Sequence, residues 1–92
     1  MAKFTVRVEL HKADSEDYES LHEKMEAKGY KREVKGSDGK MYQLPNAEYV
    51  CDKEKTPSQV RDEVRAISES VKRNPSVLVT ESAGRAWRLS EV

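Results

Sequence analysis

Thr56-Pro57-Ser58-Gln59 is the stretch that decides the fold of this 92-residue chain. A threonine at the cap, a proline at the first helical position and a glutamine three residues after the cap form a capping box, which starts an α-helix. The aliphatic residues that follow recur at helical spacing and are Val60, Val64, Ile67 and Val71. They predict a helix with one narrow apolar stripe that ends near Arg73-Asn74-Pro75.

A hairpin is predicted before this helix. Tyr30 to Lys35 is typical of a short polar strand, and Gly36-Ser37-Asp38-Gly39 is a dense turn signal. A second run begins near Lys40, but Pro45 interrupts it because proline cannot donate a hydrogen bond to a strand ladder. We therefore expect a strand centred on Ala47 to Cys51, which either starts after Pro45 or carries a bulge or edge position there.

The N-terminal third predicts a strand and a helix. Phe4 to Leu10 alternates apolar and polar residues, which indicates a strand with one buried face. Asp14-Ser15-Glu16-Asp17 supplies candidate caps and acids for a first helical turn, and Gly29 ends the helix. The apolar stripe between them consists of Tyr18, Leu21, His22 and Met25.

The C-terminal part predicts one more strand. Val77-Leu78-Val79 is apolar on both faces, which is typical of a strand with neighbours on each side. The complete order is βαββαβ, so we expect one α+β domain over residues 1–92, a ferredoxin-like sandwich with an antiparallel sheet and two helices on one face. Residues 83–92, with Trp87, form either an extra strand, a tail against the open sheet face or a contact to a second copy.

Composition limits the classes of function. Seventeen Lys and Arg balance seventeen Asp and Glu, so any attraction to nucleic acid must come from local patches. No apolar run is long enough to span a membrane and no signal-peptide core is present, so we expect a cytoplasmic protein without membrane contact. Cys51 is the single cysteine and is expected to be a buried free thiol, and we predict no metal and no cofactor.

Histidines are the first candidates for chemistry. His11 ends the first strand with Asp14 three residues later, so a titratable nitrogen and a carboxylate could share one loop. A loop histidine beside a helix-capping aspartate is the simpler alternative. His22 lies on the apolar stripe, where a core or boundary histidine is the more common role.

Basic residues are the candidates for RNA binding. If they converge, they form a cationic surface with one aromatic side chain that could hold phosphates and stack a base. These residues are Arg7, Lys31, Arg32, Lys35, Arg85, Trp87 and Arg88. A solvated, charge-balanced surface is the alternative interpretation.

The pattern as a whole resembles the GhoS family, the antitoxins of type V toxin–antitoxin systems. The resemblance is carried by Phe4 to Leu10, the tyrosine-bearing helix with Leu21 and Met25, Gly29-Tyr30, Asp38-Gly39, Gln43-Leu44, Glu48-Tyr49-Val50 and the capped helix from Thr56. It implies a ferredoxin-like fold similar to that of small CRISPR-associated nucleases, and an endoribonuclease that cleaves the messenger RNA of a small membrane toxin.

One departure bears on mechanism. The first strand ends in Leu10-His11 where an acid would be expected in the CRISPR-associated nucleases. We therefore expect any cleavage to proceed by attack of the ribose 2′-OH, with His11 as general base and Arg or Lys stabilising the phosphorane. The competing hypothesis is a non-catalytic module that forms a homodimer or binds a partner through Arg85 to Leu89, since ferredoxin-like folds host many unrelated roles.

Overall fold

Seven elements follow one another as strand, helix, three strands, helix and strand in the computed structural model, which describes residues 1–92. They are β1 Ala2–Glu9, α1 Ser15–Ala27, β2 Glu33–Lys35, β3 Met41–Gln43, β4 Glu48–Lys53, α2 Pro57–Glu69 and β5 Ser76–Glu81. The predicted α+β class and the two helices are confirmed. No helix is both long and apolar enough to cross a bilayer.

β1 is the central strand of the main sheet, which has the order β4-β1-β5 and is antiparallel throughout. Phe4 lies opposite Cys51 on one side and opposite Glu81 on the other. A single antiparallel bridge between Lys31 and Val50 places the start of the hairpin outside β4. The arrangement is consistent with the predicted ferredoxin-like sandwich, with β2 and β3 paired separately as a small sheet.

Both helices pack on one face of this sheet, as the sequence predicts. The alternation in β1 sends its even-numbered side chains into the core, where the apolar stripes of the helices meet them. The residues at the centre of this cluster are Phe4, Val6, Val8, Leu21, Met25, Val60 and Val64. Each helix begins with a capping box, formed by Asp14 with Asp17 and by Thr56 with Gln59.

The region around Pro45 adopts the first of the two expected arrangements, a strand that starts after the proline, and it has a separate short strand before the proline. β3 ends at Gln43, and β4 begins at Glu48 after a turn in which the Glu48 N–H donates to the Pro45 carbonyl. Ala47 is buried and has a left-handed backbone with φ of 61°. This turn separates the run into two strands, so the predicted strand begins one residue later than Ala47 and continues to Lys53.

Two further boundaries correct the sequence predictions. α2 ends at Glu69 rather than near Arg73, because the carbonyl of Ser68 accepts from two later amides, those of Val71 and Lys72, and closes a turn. β5 pairs with β1 alone, and Leu78 is 63% exposed. The expectation that this strand has neighbours on both sides was wrong, because apolar residues on both faces do not distinguish a central strand from an edge strand.

Residues 83–92 form an extended tail that crosses the open face of the main sheet. Arg85 Nε donates to Thr5 Oγ1 at 2.9 Å, and Arg85 Nη2 donates to the Phe4 carbonyl at 2.8 Å. The end of the tail then pairs with β3, where Gln43 N–H donates to the Ser90 carbonyl and Val92 N–H donates to the Met41 carbonyl. The tail therefore connects the β2–β3 hairpin to the main sheet.

Candidate nucleic-acid interface

The sheet face opposite the helices is the candidate interface. Odd-numbered residues of β1 point to this open face, because successive side chains of a strand alternate. The β2–β3 hairpin and the tail rise at one end of it and enclose a depression of about 600 Å³, which we call the hairpin–tail groove. Its lining includes Lys3, Lys31, Lys35, Val50, Asp52, Arg85 and Trp87, with Glu33, Val34 and Met41 from the hairpin.

Positive charge exceeds negative charge in this groove. Four cationic side chains, those of Lys3, Lys31, Lys35 and Arg85, face two acidic ones, those of Glu33 and Asp52. None of the four cations has a carboxylate oxygen within 4.0 Å, since the ion pairs of the molecule involve other basic residues. A chain with no net charge thus carries a local group of unpaired cations.

Arg85 has a positioning role as well as a charge. Its two hydrogen bonds go to neutral oxygens of Thr5 and Phe4, so they fix the guanidinium without neutralising it. The same bonds hold the tail against β1 and place the next aromatic residue, Trp87, over the groove.

Trp87 and Tyr42 form the aromatic part of the site. Trp87 is 40% exposed, and its ring centroid lies 6.4 Å from that of Tyr42 with the planes tilted by 55°. The Tyr42 hydroxyl donates a hydrogen bond to the Asp38 carboxylate at 2.5 Å, and the Lys40 amide donates another. These two bonds lower the pKa of the Asp38 carboxyl. The bond to Asp38 also raises the pKa of Tyr42. This bond fixes the Tyr42 ring at the edge of a second depression, of about 560 Å³, that continues past Arg88.

The predicted RNA-binding residues are distributed unequally. Lys31, Lys35, Arg85 and Trp87 line the hairpin–tail groove, and Arg88 lines the second depression beside it. Arg7 lies on the same open face in a smaller depression with Glu9, Ser76 and Leu78.

Arg32 does not line the groove. Burial, followed by the positive charge of Arg32, lowers the pKa of His22 on α1. His22 itself is a boundary residue, and its Nδ1 shares a hydrogen bond of 2.6 Å with the hydroxyl of Tyr49, a fully buried side chain.

His11 is at the other end of the open face. Its Nε2 lies 3.0 Å from Ser76 Oγ and 4.0 Å from Glu9 Oε1. Asp14 caps α1 through the Asp17 amide and makes no hydrogen bond to His11. From Thr5, which contacts Arg85, to Glu9 at the end of β1 the strand advances by roughly 13 Å, and His11 lies two residues beyond that end. The histidine is thus separated from the groove but shares its face.

A partly buried network holds Tyr30, the residue that precedes Lys31 of the groove. The Tyr30 hydroxyl donates to Glu63 Oε1 at 2.6 Å, and Lys53 Nζ donates to the same oxygen at 3.1 Å while lying 4.5 Å from the centroid of the Tyr30 ring. Burial raises the pKa of Glu63, but the hydrogen bonds from Tyr30 and Lys53 outweigh it and lower that pKa to about 2. Tyr30 is fully buried, so its neighbour Lys31 starts from a rigid position.

Sequence reasoning missed three contributors to the site. Lys3 and Arg7 are both odd-numbered residues of β1, so the alternation of apolar and polar residues could have placed Lys3 on the open face. Tyr42 and Asp38 gave no such signal, because their role depends on a tail that is more than forty residues away in the chain.

Cys51 is buried as expected. Burial raises the pKa of its thiol to about 11, so very little of the reactive thiolate is present at neutral pH.

No protein-family model matches the chain, and no curated protein shows significant sequence similarity to it. No group of three or more His, Cys, Asp or Glu side chains is arranged to hold a metal ion. Unpaired cations lie together with Trp87 and Tyr42 at one end of the open face, and His11 lies at the other end.

Proposed function

We propose that the protein binds single-stranded RNA along the open face of its sheet, with the hairpin–tail groove as the principal site. The observation that carries this proposal is the convergence of Lys3, Lys31, Lys35 and Arg85 around the exposed Trp87, with no carboxylate paired to any of them. Cations that already have protein partners would gain little from phosphates, whereas these are free to replace counterions of the nucleic acid.

Single-stranded nucleic acid fits the aromatic pair better than a duplex does. A base can stack on Trp87 only if it is not already stacked and paired in a helix, and such stacking contributes about 1–3 kcal/mol per base. Tyr42 lies beside Trp87 in a tilted aromatic pair, which supports the orientation of the indole. RNA rather than DNA is proposed because of the resemblance to the GhoS family, and a DNA oligonucleotide of the same sequence is the comparison that tests this choice.

Trp87 provides a direct measurement, because it is the single tryptophan of the chain. Titration with a short unstructured RNA is expected to quench its fluorescence, since a stacked base contacts the indole. Trp87→Ala is expected to weaken binding by about 5- to 150-fold, which corresponds to the stacking contribution. Val92→Ala, a change at another exposed apolar residue of the tail, is the matched control and should bind as the unchanged protein does.

Unchanged fluorescence at saturating RNA, or equal affinity of the Trp87→Ala and Val92→Ala variants, would contradict this use of the groove. Equal affinity for RNA and for the matching DNA would retain the groove as a binding site but reject RNA as its specific ligand.

Cleavage of the bound RNA is the second part of the proposal, and the arrangement around His11 favours it. Neutral His11 Nε2 would accept the proton of a ribose 2′-OH, and the 2′-oxygen would attack the adjacent phosphorus. The P–O5′ bond then breaks and a 2′,3′-cyclic phosphate remains. The 5′-oxygen takes a proton from water, and protonated His11 returns its proton to the hydroxide that is left. Arg7, which lies on β1 four residues before His11, would stabilise the negative phosphorane.

The substrate implied by the family resemblance is the transcript of a small membrane toxin, cleaved in the cytoplasm. Incubation of the pure protein with such a transcript in EDTA is expected to give fragments with 2′,3′-cyclic phosphate ends. His11→Ala should remove cleavage without changing RNA affinity, because His11 lies outside the groove. His22→Ala is the control at the other histidine. Equal cleavage by the His11→Ala variant would remove His11 from the mechanism.

A further inference from the structure

The outer edge of β5 is the strongest feature that the proposed function does not use. The segment from Ser76 to Thr80 has no charge and no proline, although natural sheets usually protect a free edge with lysine, proline or a bulge. Leu78 is 63% exposed on the open face beside this edge. After β5 the chain turns inward, since Ser82 N–H donates to the Lys3 carbonyl, so the tail leaves the edge uncovered.

The hydrogen-bond pattern shows which groups of the edge are free. Hydrogen-bonded pairs alternate along an antiparallel ladder. Ser82 is bonded to Lys3, and in the same register Leu78 lies opposite Arg7, so the main chain of Leu78 also faces β1. The N–H and C=O groups of Val77 and Val79 consequently point away from β1 into solvent.

From this edge we infer that two copies of the chain associate through β5, antiparallel and around a two-fold axis, to form one continuous sheet. Leu78 of each copy lies opposite Leu78 of the other in a non-hydrogen-bonded pair, where side chains approach most closely. Val77 of one copy then forms a hydrogen-bonded pair with Val79 of the second copy. This register satisfies the free main-chain groups and covers the exposed leucine at the same time.

Charge favours a second copy in this orientation. Glu81 is the only charged residue of β5, and Arg73, which has no ion-pair partner, lies just before the strand. Antiparallel pairing brings the Glu81 end of each strand to the Arg73 end of the other, whereas parallel pairing would bring the two glutamates together. Ile67 and Val71, which are partly buried on the helix side, continue the apolar surface on the other face of the sheet.

The association closes at two copies. The opposite side of the main sheet is covered by the segment at Lys31 and by the β2–β3 hairpin, so it offers no second uncharged edge. A two-fold axis perpendicular to the sheet also brings both open faces to the same side. The proposed dimer does not depend on RNA binding and can be examined in its absence.

Sedimentation of nuclease-treated protein tests this inference. We expect a concentration-dependent approach to twice the monomer mass of 10.5 kDa. Leu78→Lys, at a site already exposed in the monomer, should weaken the dimer by at least about tenfold, because it places like charges opposite each other. Val92→Lys is the matched control, since Val92 has a similar exposure of 66% but lies on the tail.

Two further measurements fix the interface. Oxidised Leu78→Cys protein should form a disulfide between copies, because opposite positions in such a pair fit disulfide geometry. The amide protons of Val77 and Val79 should gain protection from exchange as the concentration rises. A monomer at every concentration, or a dimer that is equally stable with Leu78→Lys and does not cross-link through Leu78→Cys, would overturn the inference.

Discussion

At the scale of single residues, the partly buried Glu63 carboxylate is the most consequential charge. It accepts from Tyr30 and Lys53, and thereby joins α2 to β4 and to the start of the hairpin that carries Lys31. Its pKa is about 2 in the folded protein, below its ordinary value of 4.5. A lowered folded pKa stabilises the protein above pH 4.5, and this contribution is lost as the pH falls from 4.5 towards 2.

Glu63→Gln should therefore lower the free energy of unfolding at neutral pH by about 1–3 kcal/mol, because charge-assisted hydrogen bonds are lost around a buried tyrosine. The difference from the unchanged protein should shrink below pH 4.5. Urea denaturation at several pH values measures both effects. Glu69→Gln, which removes an exposed ion pair with Arg65, is the control, and a pH-independent loss in the Glu63 variant would contradict this account.

At the scale of elements, the tail is the part whose role is most easily separated from the fold. The main core is built from residues between Phe4 and Val64, and the tail contributes none of its buried side chains. Deletion of residues 85–92 should leave both helices and the main sheet folded. The hairpin should lose its hydrogen bonds to Ser90 and Val92, so exchange of the Gln43 amide should accelerate, and RNA affinity should fall with the loss of Arg85 and Trp87.

Hydrogen exchange followed residue by residue distinguishes these effects. Trp87→Ala in the full-length chain is the matched comparison, because it keeps the main-chain pairs of the tail while removing the aromatic ring. Unchanged exchange in the truncated hairpin would show that the tail does not hold it.

The elements also show which features the sequence could predict and why it could not predict those that depend on contacts between distant segments. The capping box at Thr56 and the alternation from Phe4 to Leu10 act within one element, so they predicted the start of α2 and the buried face of β1 correctly. Leu78 lies on an edge strand because of the strand order, and the spacing of apolar residues in the sequence does not predict that order. Lys31 and Lys35 were found from local charge, whereas the partnership of Tyr42 with Trp87 required the path of the tail.

At the scale of the whole molecule, charge is segregated although the total is zero. The open face collects unpaired cations at the hairpin–tail groove, while several acids of α1 and α2 are paired with lysine or arginine on the helix side. Such segregation lets a neutral chain bind a polyanion locally without general attraction to every anionic surface. The balance of Lys and Arg against Asp and Glu could not reveal this arrangement, because it is a property of the folded surface.

The most direct test of the central claim is the affinity for a short fluorescent RNA as a function of salt. Four phosphate contacts in the groove predict a slope of log affinity against log salt of about −3, which Lys31→Ala/Lys35→Ala should reduce to about −1.5 with a marked loss of affinity. Lys24→Ala/Lys28→Ala removes the same charge from α1 and its end, and should leave slope and affinity nearly unchanged. Salt-independent binding, or equal losses in the two double variants, would contradict the proposal that the hairpin–tail groove holds RNA.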